Sequence, residues 1–163
     1  MAEIQRRTGH RLRAATGRSR LAVLVIGTVF ALAPFVAAGQ GLAQGWQPTG
    51  DVAIISLRAL DVGGEHTPLL GQPTTSEELT GTPANHPGPI EFFVLSPALR
   101  IFGERAGGPL AVAALNAAAL VATVGLAYRR GGTPLLALTA VCTAALIHAL
   151  GAPSLYDPCL LYT

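Results

Sequence analysis

Two residues of this sequence pair a reactive side chain with a backbone that would hold it still. Asp51 stands in TGDVAIISLRAL, where apolar residues begin to recur at helical spacing (Val52, Ile55, Ala59, Val62). His86 stands in GTPANHPGPIEFF, among prolines and glycines that exclude a helix and leave a stiff, extended chain. A carboxylate can accept a proton, or it can close the open N–H groups of a helix start. An imidazole is a pH-dependent cation. The segment around His86 therefore either turns the chain or presents the ring to a partner. A third cluster, Asp61, Glu65 and His66, could form a loose cation site, although a hydrated loop would leave all three solvated. Cys142 and Cys159 give neither a disulfide framework nor metal-ligand spacing. The sequence contains no phosphate-cradling glycine loop, no Ser-His-Asp arrangement and no nucleic-acid-binding pattern.

The elements that must position these residues follow from composition. The chain has 163 residues, of which 50% are hydrophobic and 12% charged, with a mean hydropathy of +0.47. A soluble domain carries about 25% charged residues, so the deficit points to a membrane. Lysine is absent, and the abundance of alanine, glycine and arginine suggests a GC-rich bacterial genome. Three uncharged apolar stretches, 21–43, 107–128 and 133–151, approach the ~20 residues that a spanning helix needs. The expectation is an all-α membrane protein with three transmembrane helices. Asn116 and His148 are the strongly polar residues in the second and third stretches, where interhelical hydrogen bonds are the expected use.

Charge sorts the connecting segments by side. Residues 1–20 carry six arginines against Glu3, and the 129–132 turn carries Arg129 and Arg130. The 44–106 loop holds seven acidic residues and three arginines. The positive-inside rule puts the basic tail and the turn in the cytoplasm and the loop outside. The implied location is the bacterial cytoplasmic membrane, with multiple passes and a cytoplasmic N-terminus. A rival for 21–43 is a cleaved secretory signal, since a basic start, an apolar core and small residues describe both. In either case the loop lies outside.

Within that loop, a short helix should open at Asp51 and stop at Gly63 and Gly64. A turn-rich polar connection follows. PIEFFVLSPALRIFG then reads as an apolar helix kinked at Pro97 and lying in the membrane interface. Residues 152–158 form an outer segment. Residues 159–163, CLLYT, match one reading frame of a common transposase sequencing adapter. They are expected to be an artefact, with the natural protein continuing beyond them.

The order of these features resembles the N-terminal part of the GT-C membrane glycosyltransferases. The nearest likeness is to the protein-mannosyltransferase-like and arabinofuranosyltransferase-like proteins of high-GC bacteria. The residues that carry it are Gly50-Asp51, Asn85-His86-Pro87-Gly88-Pro89, Leu99-Arg100-Ile101-Phe102-Gly103 and the tail GAPSLYDP. Each motif is short, and their order and topology together carry the likeness, across residues 20–158. The resemblance implies transfer of a sugar from a polyprenyl-phosphate donor to a glycan or protein acceptor of the cell envelope, on the outer face. Asp51 would inherit the family's loop aspartate and take the acceptor's proton. His86, with Arg58 and Arg100, would supply positive charge to the departing lipid phosphate. Many relatives have lysine where this chain has His86, and many have a second acid where it has Val52. Asp51 is therefore the single carboxylate at the motif. A divalent cation stays open as a cofactor, with no metal ligands assigned.

Plainer roles stand beside these. Asp51 could serve only as a helix cap, His86 as an exposed loop residue and Arg58 as a headgroup contact. The whole chain could be a non-catalytic multi-pass scaffold or assembly protein, or a secreted binding module behind a cleaved leader.

Overall fold

The computed structural model describes residues 2–72, 81, 82, 85 and 89–158, without the side chains of residues 2–16 and 18. His86 with its proline and glycine neighbours, and the adapter-like 159–163, lie outside the described residues. The described residues are mostly helical and contain no strand.

Helix α1 runs Ala2–Ala43. The basic tail is helical and runs without a break into the apolar stretch. Its apolar part, Ser19–Ala43, is roughly 38 Å long at 1.5 Å per residue, against a hydrocarbon core of about 30 Å. Helix α2 spans Asp51–Leu60, and helix α3 runs Ile90–Leu150. A straight α3 would be about 92 Å long. Two glycines break it, Gly103 (φ 77°, ψ 170°) and Gly132 (φ 64°, ψ −152°), in backbone conformations that a side chain would oppose. The result is three arms, 90–102, 104–131 and 133–150. Pro97, the expected kink, keeps helical φ/ψ, and the chain turns at Gly103 instead. A proline removes one N–H without changing the sign of φ, whereas a positive φ redirects the backbone.

Gly107 completes that turn. A Cβ there would overlap the Leu99 backbone and lie 2.7 Å from the Ala98 carbonyl oxygen, so the first arm folds directly back against the second. At the other break, Gly132 opens the 129–132 turn and the third arm returns beside the second.

Three apolar clusters hold these pieces together. Ile55 and Ala59 of α2 pack with Phe92, Leu95 and Leu99 of the first arm and Val112 of the second. Phe30 of α1 meets Val124 and Leu136 of the second and third arms. Ala37 and Ala38 of α1 meet Ala113, Leu155 and Tyr156. The last two residues belong to a strap, 151–158, that begins with a short 3-10 helix, Ala152–Leu155. The strap lies across α1, where a Cβ at Gly41 would fall 2.5 Å from the Tyr156 hydroxyl. Asn116 clips it down, its Nδ2 donating to the Leu155 carbonyl at 3.0 Å.

Two helices, Ser19–Ala43 and Ile90–Leu150, are long and apolar enough to cross a membrane. Only 22% and 33% of their most apolar windows are buried. Leu21, Leu24, Val25, Val29, Leu32 and Val36 face outward from α1, and Leu138, Val141, Leu146 and Leu150 from the third arm. Core helices of a water-soluble domain would turn such residues inward.

Candidate functional site

The end of the bundle that receives the α1 C-terminus also carries α2, the first arm and the strap. Gly50 (φ 55°, ψ −129°), not Asp51, occupies the N-cap of α2. The Gly50 carbonyl accepts the N–H groups of Ala53 (3.1 Å) and Ile54 (3.3 Å). Asp51 is the first helical residue, and its role is not that of the cap. Val52, Ile55, Ser56 and Ala59 turn inward and leave Asp51 exposed. Its carboxylate makes no hydrogen bond or ion pair among the described residues. The positive end of the helix dipole favours an anion at this position by about 0.3–1 kcal/mol.

The two arginines assigned with Asp51 have structural partners. Arg58 lies half-buried with its guanidinium 5.9 Å from the centre of the Phe92 ring. Its Nε is buried without a hydrogen bond. Arg100 reaches from the first arm to the C-terminal end of α2, where Nη2 donates to the carbonyls of Leu60 (3.2 Å) and Val62. Those carbonyls are the groups that a helix end leaves open. Both cations therefore tie α2 to the first arm. Arg58 is roughly 10 Å along α2 from Asp51, and Leu60 roughly 14 Å. Asp51 and the Arg100 contact thus occupy opposite ends of α2. The position of His86 relative to them falls outside the described residues.

Glu91 emerges from the structure rather than from the sequence. It sits in the first turn of the first arm, 8% exposed, and neither carboxylate oxygen has a hydrogen-bond partner among the described residues. Burial pushes its pKa up to about 7. Gln72 is similarly buried, with an unpartnered Oε1. A sequence signal for Glu91 did exist. It stands four residues before Leu95, on the helix face that Leu95 and Leu99 bury.

Asp61, Glu65 and His66 are all exposed. The turn they occupy is organised instead by Thr67, whose Oγ1 accepts from the Gly63 N–H (2.9 Å) and donates to the Gly64 carbonyl (2.7 Å). Among the described residues, no group of three or more His, Cys, Asp or Glu side chains could hold a metal ion. Asn116 bonds to the short 3-10 helix of the strap, and His148 is exposed in the last turn of the third arm.

Comparisons with protein-family models, curated proteins and solved structures find no match to this chain.

Proposed function

We propose that this chain is the N-terminal part of a GT-C-type membrane glycosyltransferase. Three spans, 19–43, 104–131 and 133–150, would cross the bacterial cytoplasmic membrane with the N-terminus inside. The Asp51 end would face outward, with α2 and the first arm lying along the membrane surface. The acceptor hydroxyl gives its proton to Asp51 as its oxygen attacks the anomeric carbon of a polyprenyl-phosphate sugar. The bond from that carbon to the phosphate oxygen breaks, and its electron pair leaves with the lipid phosphate. His86 neutralises the departing phosphate. Arg58 and Arg100 hold the scaffold, and their link to the donor runs through that scaffold.

The observation that carries this reading is the free carboxylate of Asp51. It is held at the start of a helix that is fixed by its opposite face, and no partner among the described residues accounts for it. The order of elements agrees with the resemblance drawn from GD, NHPGP and LRIFG. The scaffold alternative is favoured by one observation, the structural use of Arg58 and Arg100. The two readings separate in the full-length protein assayed for sugar transfer from a radiolabelled polyprenyl-phosphate donor in membranes. Asp51→Asn should abolish transfer and leave expression unchanged, because Gly50 retains the cap and only a first-turn charge is lost. Transfer at the wild-type rate by Asp51→Asn would refute the catalytic role.

A further inference from the structure

The opposite end of the bundle carries a second arrangement. The Tyr128 hydroxyl lies 3.1 Å from Ser19 Oγ and donates to it, joining the second arm to α1 where the basic tail gives way to apolar sequence. Arg20 follows Ser19, and Arg129 and Arg130 follow Tyr128. All three are exposed, and none is paired with a carboxylate among the described residues. About one helical turn further into the bundle, an open groove of about 330 Å³ lies between α1 and the second arm. Leu24, Gly27 and Ala31 line it from α1, and Val121 and Gly125 from the second arm.

The register of these residues joins rim to groove. Leu24, Gly27 and Ala31 follow Arg20 at the spacing of one helix face, and Gly125 and Val121 precede Arg129 by one turn and two. Helical side chains lean toward the N-terminus of their helix, so the Arg129 stem leans back over Gly125. A Cβ added at Gly27 or Gly125 would meet nothing within 4 Å, so the groove is open at its glycines. The feature is therefore an apolar slot roughly 12 Å long with a cationic mouth. The length of the slot suits a single hydrocarbon chain, and the exposed arginines near its mouth call for an anionic group there.

We propose that the slot holds one anionic phospholipid of the surrounding bilayer, with its phosphate against Arg20, Arg129 and Arg130 and one acyl chain along Gly27 and Gly125. This rests on the membrane-spanning reading and is independent of sugar transfer. The test uses the full chain in nanodiscs containing equal phosphatidylglycerol and phosphatidylcholine. After mild detergent extraction, the retained lipid is quantified by mass spectrometry. The wild type should retain phosphatidylglycerol preferentially. Arg129→Gln with Arg130→Gln should reduce that preference on the order of fivefold per arginine. Gly27→Leu with Gly125→Leu fills the slot without touching a charge and should abolish retention of either lipid. Equal retention of both lipids by the wild type, or a preference unchanged by either pair of substitutions, overturns the proposal. So does near-complete disulfide cross-linking of two chains through Gly125→Cys in a background lacking Cys142 and Cys159, since a second copy would then fill the slot.

Discussion

Replacing Glu91 by glutamine should stabilise the protein, and only on the alkaline side. The carboxyl is nearly inaccessible, lacks hydrogen-bond partners among the described residues and has its pKa raised by burial from 4.5 to about 7. In the unfolded chain it ionises near 4.5, so between that pH and about 7 the folded state binds more protons than the unfolded one. Stability is therefore fully present below pH ~4.5, falls as pH rises through 7, and is flat above. A difference of about 2.5 units corresponds to about 3 kcal/mol at 1.36 kcal/mol per unit. Glutamine keeps the shape and carries no charge to desolvate. The mutant and wild type should unfold together at pH 4.5, and by pH 8 the mutant should be ahead by roughly 6–12 °C in Tm. Thermal unfolding of purified protein in detergent, followed by circular dichroism across pH 4–9, measures the difference directly. Other carboxylates titrate in both proteins and cancel. A Tm difference that does not change with pH would show that Glu91 is already uncharged or solvated at neutrality, and would refute the reasoning.

Two further outcomes test the fold. In a chain lacking Cys142 and Cys159, Glu65→Cys should react with a membrane-impermeant thiol reagent in intact cells and Gly131→Cys should not; the reverse pattern would invert the proposed topology. Gly107→Ala should destabilise by roughly 1–3 kcal/mol through overlap with the Leu99 backbone, whereas Gly39→Ala, with nothing within 4 Å, should be neutral or stabilising in the same thermal assay.

The helices were legible because their signals are strong and local. Val52, Ile55 and Ala59 repeat at helical spacing and are buried as that spacing requires. Gly132 falls in the turn marked by Arg129 and Arg130. What escaped the sequence depended on contacts across it. Pro97 was legible as a kink, whereas the turn at Gly103 was not, since its need for a positive φ shows only once the first arm packs back on Gly107. The cap that stood as the plainer role for Asp51 falls to Gly50 instead, one residue earlier. Arg100 looked like a free cation until Leu60 and Val62 supplied carbonyls from 40 and 38 residues away. Glu91 read as one loop acid among seven because its burial shows only in the folded chain.

The strap has a consequence for biosynthesis. Ser19 and Tyr128 are 109 residues apart, and the strap that covers Gly41 emerges later still. At about 5–20 residues per second, α1 waits roughly 5–20 s for Tyr128. During that interval its small-residue face at Ala37, Ala38 and Gly41 has no strap to pack against. Force measurements with translational-arrest sequences placed after successive residues should therefore show a late pull near residue 158, in addition to the pulls from each apolar stretch entering the bilayer. Without that late pull, docking of the strap would not be tied to synthesis. With it, the strap docks on α1 as it emerges, and a ribosome stalled before residue 151 leaves Ala37, Ala38 and Gly41 without Leu155 and Tyr156 against them.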